Sequence, residues 1–191
     1  VEAQAQILPD GVNFEKAMGY HRLVAELFLL AHIASGRHGV PWCAEAGERL
    51  RRACQYSAAC RRPDGLAPCV GDGDDAQVLV FDGRPPRDHS PLIALGAAYF
   101  GCGRLKGASS SLSAAVPWLL GPEGVESWRA LAADGAPGLQ HFDAGGVVVV
   151  RAGIDWLWID VGEVGLAGRG GHGHNDLLSF ELALDGRPVV V

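Results

Sequence analysis

The stretch from Gly145 to Asp160, GGVVVVRAGIDWLWID, marks the point where the chain changes its period. Short β-branched and aromatic runs bounded by glycine are the pattern of strands. Alternation in DWLWID puts Trp156, Trp158 and Asp160 on one face and Leu157 and Ile159 on the other. Further on, LLSFELALDGRPVVV (Leu177 to Val191) reads as a strand, an Asp185-Gly186 turn and a return strand. The spacing predicts antiparallel strands from about Gly145.

Upstream the period is helical. Leu23, Val24, Leu27, Phe28, Leu30 and Ala31 repeat at helical spacing in YHRLVAELFLLAHIASG, and Gly36 supplies a stop. A second helix is expected from Pro41 to Cys60, with Glu45 and Glu48 early and Arg49, Arg51 and Arg52 after them. A third starts near Ser90-Pro91 and ends by Gly101. A short fourth includes Val116 to Leu120, and PEGVESWRALAA gives a fifth. The chain therefore reads as α+β: a helical part over residues 1–135 and an antiparallel sheet part over 136–191.

Composition bounds the function. The 191 residues are 48% hydrophobic and 20% charged, enough apolar content for a core. A net charge of −6 argues against nucleic acid as a partner, which needs a basic face, but not against an anionic substrate. No apolar run approaches the ~20 residues of a membrane span. The N-terminus lacks a signal-peptide pattern and an initiator Met, and the chain stops inside the apolar run GRPVVV. It reads as a piece of a longer protein. Cys43, Cys54, Cys60, Cys69 and Cys102 show no C-x-x-C spacing; buried free thiols are the default reading, with one or two disulfides the alternative for an exported protein.

Two stretches are dense in chemistry. GHGHNDLLSF (Gly171 to Phe180) packs His172, His174, Asn175 and Asp176 beside glycines. A His-x-His at the opening of a strand puts both rings on one face, about 6–7 Å apart at Cα, suiting two ligands of one metal or one ligand beside a proton-transfer group. The bland alternative is a pair of surface histidines in a loop. His172, His174 and Asp176 also spell the His-x-His-x-Asp that opens the metallo-β-lactamase signature, with Leu177 where another histidine would follow. The second stretch, LPDGVNFEKAMGYHRLV (Leu8 to Val24), gathers Asn13, Glu15, Tyr20 and His21 around a helix start. Between the two, Asp72, Asp74 and Asp75 in GDGDDAQ miss the spacing of a calcium loop and read as a solvated turn.

DGVNFEKAMGYHRLVAELFLL followed by GHGHNDLLSFELALDGRPVVV resembles the heparinase II/III family of polysaccharide lyases. RRPDGLAPCVGDGDDAQVLVFD and DHSPLIALGAAYFG resemble family segments between them. The resemblance implies the C-terminal part of an (α/α) toroid followed by the first strands of an antiparallel β-sandwich. It implies β-elimination on a uronic-acid-containing polysaccharide, with Tyr20 and His172 as catalytic residues and Asn13, Glu15, His21 and Asn175 near the substrate. It also implies His174 as a ligand of a structural zinc, whose partner aspartate and histidine would lie beyond Val191. No organic cofactor is implied. The family's asparagine-bearing helix would precede Tyr20 and is absent from the sequence. The implied partner is an anionic polysaccharide, and the implied location is a bacterial periplasm or cell envelope. An inactive carbohydrate-binding module and a His-x-His-x-Asp metallohydrolase are the alternatives.

Overall fold

The computed structural model describes residues 2–73 and 75–191. The helices are α1 (Glu2–Gln6), α2 (Met18–Arg37), α3 (Ala44–Cys60), α4 (Ser90–Phe100), α5 (Gly103–Ala108) and α6 (Ala115–Ala130). The strands are β1 (Leu139–Phe142), β2 (Val147–Ala152), β3 (Asp155–Asp160), β4 (Phe180–Leu184) and β5 (Arg187–Val190). The strands form one antiparallel sheet in sequence order, β1-β2-β3-β4-β5. Among the described residues no helix is long and apolar enough to cross a membrane.

Several boundaries differ from the sequence reading. Helix α2 runs through Gly36 to Arg37, and α3 starts at Ala44 rather than Pro41. The two helices expected after Val116 are present as the two halves of α6, separated by the non-helical Gly121 (φ 71°) before Pro122. Strand β1 begins six residues before Gly145, because LQHF pairs with Val147–Val150. The short helices α1 and α5 carry no periodicity long enough to be read. Of the acidic turn, Asp74 lies outside the described residues.

Helix α3 joins two cores. Leu50, Ala53 and Cys54 face Leu29, Leu92, Ile93, Leu95 and Leu105 of the other helices. Tyr56, Ala59 and Cys60, nearer its end, face Phe142, Val147, Val149, Trp156, Trp158 and Ala183 of the sheet. Trp156 and Trp158 are each 1% exposed. Burying a tryptophan at 150–250 Å² contributes roughly 4–6 kcal/mol as an upper bound. The last carbonyls of a helix lack partners within it. Here Trp156 Nε1 donates to the Ala59 carbonyl at 3.2 Å, and Arg151 Nη2 donates to Ala59 at 3.0 Å and to the Arg61 carbonyl. The guanidinium also suits the negative end of the helix dipole.

The inner rows of the sheet follow from its register. Val149, Trp158 and Glu181 stand in line across β2, β3 and β4. Glu181 is the charged member of that row and is 5% exposed. Its Oε2 accepts from Arg62 Nη1 at 2.9 Å, its Oε1 accepts from the Cys69 N–H at 2.7 Å, and Arg62 also pairs with Asp64. The β4–β5 turn at Asp185 (φ 49°) and Gly186 (φ 73°) has the two positive φ values of a type I′ hairpin.

Removing one partner of a buried ion pair leaves the other charge unpaired. Glu181→Ala is therefore expected to destabilise the protein by about 3 kcal/mol, the low end of that range because Asp64 remains beside Arg62. Urea denaturation followed by the near-ultraviolet signal of Trp156 and Trp158 measures it. An unchanged midpoint would show that the pair contributes nothing.

Candidate active site

Three segments separated in sequence meet at one place. The first is the turn before α2 and its opening turn, residues 13–20. The second is the loop around Gly71-Asp72. The third is the long connection from β3 to β4, which carries both histidines.

Each segment is fixed to the others through backbone. The Asp72 N–H donates to the His172 carbonyl at 2.8 Å, and the Gly71 N–H donates to Asp176 Oδ2 at 3.0 Å. The Met18 N–H donates to the Val70 carbonyl at 3.0 Å, and the Leu166 N–H to the Phe14 carbonyl at 2.9 Å. Lys16 Nζ reaches the Glu163 carbonyl at 2.7 Å. The approach at Gly71 is tight. Its φ is 69°, and a Cβ there would collide with the His172 carbonyl oxygen and with Ala17.

His172 and His174 stand in turns of the loop rather than on a strand, and His174 has a left-handed φ of 52°. The strand geometry expected from His-x-His is therefore not what brings them together. A shared carboxylate does so. His172 Nδ1 lies 2.7 Å from Asp72 Oδ2, and His174 Nε2 bonds Asp72 Oδ1. Hydrogen bonds from His172 first, and then His174, hold the Asp72 carboxyl below its ordinary range. On its far side, His172 Nε2 is 3.6 Å from Glu15 Oε2.

Tyr20, in the first turn of α2, stacks on His172, with ring centroids 3.9 Å apart and planes inclined by 26°. Glu15 is close to the same imidazole, and Asn175 is exposed on the loop next to His174. A phenol, an imidazole and two carboxylates thus share one surface, with the His172 side chain 40% exposed. Such a set can remove, hold and return a proton.

Asn13 and His21 belong elsewhere. The sequence reading puts both near substrate, but the structure buries them. Asn13 is 1% exposed; its Nδ2 donates to the Gln6 carbonyl at 3.1 Å and its Oδ1 accepts from the Glu15 N–H at 3.0 Å. It shapes the turn that presents Glu15. His21 is 2% exposed, with Nε2 3.1 Å from the Ala53 carbonyl and 3.0 Å from Ser57 Oγ. Ser57 Oγ also lies 3.3 Å from Nδ1 of the buried His89. Burial lowers the His21 pKa to about 4, against the weaker pull of the Ala53 bond. Burial likewise holds His89 well below the ordinary range. Both rings are neutral packing residues between helices.

A cleft of about 330 Å³ adjoins this surface, lined by Met18, Cys69, Asp72, Pro86, Arg87 and His89 among others. Its far wall is clamped onto α2: Arg22 donates to the carbonyls of Ala76 and Pro86, and Glu26 Oε2 accepts from the Val78 and Leu79 N–H groups at 2.7 and 3.1 Å. Asp72 belongs both to the cleft wall and to the histidine bridge. Sequence reading missed its role. The signal present was a glycine-bounded acidic turn; its partners stand 100 and 102 positions away.

The donors do not compose a complete zinc site. Structural zinc takes four ligands, and among the described residues no group of three His, Cys, Asp or Glu is placed to hold a metal.

Gly71→Ala would push the His172 backbone away from Asp72. It is expected to weaken the Tyr20–His172 stack while leaving the helical core folded. Comparison of ¹H chemical shifts of the two rings with those of the parent protein checks this; unchanged ring shifts would show that the loop absorbs a Cβ.

Residues 134–191 match the family model described as Heparinase II/III-like, C-terminal. No curated protein sequence matches the chain. Among solved structures, a heparinase III gene product with methylated lysines superposes with a TM-score of 0.71 at 17% identity, covering 98% of this chain and 26% of its own. A mutant heparan sulfate lyase from Pedobacter heparinus gives 0.67 at 17% identity, with 98% and 26% covered. A further heparinase III structure gives 0.68 at 17% identity, with 98% and 28% covered. The chain thus spans about a quarter of the length of these structures. Its helices followed by an antiparallel sheet have the fold of the corresponding part of the heparinase III structures, and its segment 134–191 is heparinase II/III-like.

Proposed function

We propose that the protein containing this chain is a polysaccharide lyase that cleaves a uronic-acid-containing polysaccharide by β-elimination. The observation that carries the reading is the stack of Tyr20 on His172, which joins the helical part to the β3–β4 loop in one proton-handling surface.

The reaction removes the proton at C5 of a uronate, breaks the bond from C4 to the leaving oxygen, and leaves an unsaturated sugar. Tyr20 is assigned as the base at C5, acting as phenolate, and its proton then passes to the leaving oxygen. His172 is assigned as its proton partner and as a donor to the charge that develops on the uronate carboxylate. Asn175, exposed on the same loop, is assigned to substrate contact, and Glu15 to holding the far side of His172. No covalent intermediate is needed. The helical part is read as belonging to a larger (α/α) toroid, and the location as a bacterial periplasm or envelope, where polymeric uronans are met. A glycosaminoglycan is the favoured substrate class, because the similar solved structures are named as heparinase III and heparan sulfate lyase.

A His-x-His-x-Asp metallohydrolase is not favoured. Asp176 accepts the Gly71 N–H, and both histidines address Asp72 rather than converging with Asp176.

The full-length protein is expected to release products with the ultraviolet absorbance of a conjugated unsaturated uronate. Tyr20→Phe keeps the ring and its packing and should lower turnover by at least ~10²-fold. His172→Ala should do similar damage, and the double variant should be little worse than either single one, since the two act as a unit. Carbohydrate binding without such product would identify a binding module, and a Tyr20→Phe enzyme at parental rate would remove Tyr20 from the chemistry.

His174 is proposed as a ligand of a structural zinc, with no second ligand assigned among the described residues. His174→Ala should lower the zinc content of the full-length protein; parental protein without zinc would reject the assignment.

A further inference from the structure

Asp72 has no role in the lyase reading so far, yet it makes the closest polar contacts at the site. Its carboxylate meets His172 Nδ1 at 2.7 Å and His174 Nε2 with its other oxygen. Its own N–H holds the His172 carbonyl at 2.8 Å, so main chain and side chain grip the same residue. The neighbouring Gly71 N–H is fixed by Asp176. The placement of the carboxylate against the imidazole is therefore over-determined, although its side chain is 41% exposed.

An ionised carboxylate can only accept hydrogen bonds. The ring nitrogen facing it must then carry a proton, whether the ring is neutral or charged. We infer that Asp72 is a positioning residue: it keeps a proton on Nδ1 of His172 and the ring plane against Tyr20, so that proton exchange is confined to Nε2. Nε2 is the nitrogen that faces Glu15 at 3.6 Å. The same carboxylate imposes the opposite arrangement on His174, whose Nε2 carries the proton. Two histidines one residue apart are thereby made chemically unlike by one side chain.

A loop fastener would look similar in the structure, and Asp176, which holds the Gly71 backbone at the same loop, is the control for it. The test uses the full-length protein labelled with ¹⁵N in its histidines, at a pH where the His172 ring is neutral. The parental protein is expected to show His172 with its proton on Nδ1. Asp72→Ala should move it towards the Nε2–H form that an unconstrained imidazole prefers, whereas Asp176→Asn should leave it unchanged. Should Asp72→Ala fail to fold, Asp72→Ser, too short to reach the ring, carries the same expectation. The kinetic arm rests on the lyase reading: kcat on the uronan should fall on the order of 10²-fold in Asp72→Ala, with KM within about threefold. Retention of the Nδ1 proton in both Asp72 variants overturns the assignment, as does a loss confined to KM or an equal tautomer change in Asp176→Asn. If the parental protein cleaves no uronan, the lyase reading falls and the tautomer measurement alone decides the role of Asp72.

Discussion

The buried pair of Arg62 and Glu181 is the constraint on which the arrangement turns. Glu181 sits in the inner row of the sheet, in register with Trp158, and its two oxygens are taken by the Arg62 guanidinium and the Cys69 N–H. A carboxylate in that position has no apolar alternative: it is satisfied only if the segment after α3 lies against β4. This fixes where β4 starts relative to the helices. Since the histidine loop ends at β4, it also fixes one anchor of the loop. The other anchor is β3, held by two buried tryptophans against the end of α3.

Between those anchors the loop is held by backbone rather than by a core. Hydrogen bonds from Asp72, Gly71 and Leu166 tie it to the segments before and after α2. Glycines permit the approach: at Gly71 and Gly173 an added Cβ would strike the His172 and Glu15 carbonyl oxygens. The side chains the loop turns to solvent include His174 and Asn175 together with the apolar Val161, Leu177 and Leu178. Such a division, with rigid elements placing a loop and the loop carrying the chemistry, is common for functional sites.

Much of this was legible in the sequence where the signal is local. The alternation in DWLWID put Trp156 and Trp158 on one face of β3, the face that is buried, and Asp185-Gly186 marked the turn between β4 and β5. The pairing of LQHF in β1 was not legible, because its partner lies across a turn and its own pattern is weak. Tyr20 and His172 came from resemblance to a family, not from any spacing. Asn13 and His21 were misplaced for a physical reason: a polar residue at a helix start can as well complete the protein's own hydrogen bonds as face a ligand. Asp72 was hidden by the reverse effect. An acidic turn looks solvated until the chain brings two imidazoles to it.

The trio of His21, Ser57 and His89 has a consequence in proton linkage. It sits between α2, α3 and the start of α4, with both rings uncharged. An unfolded chain takes up a proton on His21 near its ordinary 6.5, whereas the folded chain resists until about 4. In that interval the unfolded state binds more protons, so stability rises with pH and drains away as pH falls from about 6.5 towards 4. For His21 alone the difference is on the order of 3 kcal/mol. His89 acts in the same direction, its charged form further opposed by His21, Arg22 and Arg87. Glu26 acts against them, because burial raises its pKa and acid relieves the strain of its charge. The junction of the three helices is therefore a place where acid weakens the fold. Acid should loosen the helical part at the place where these two imidazoles are buried.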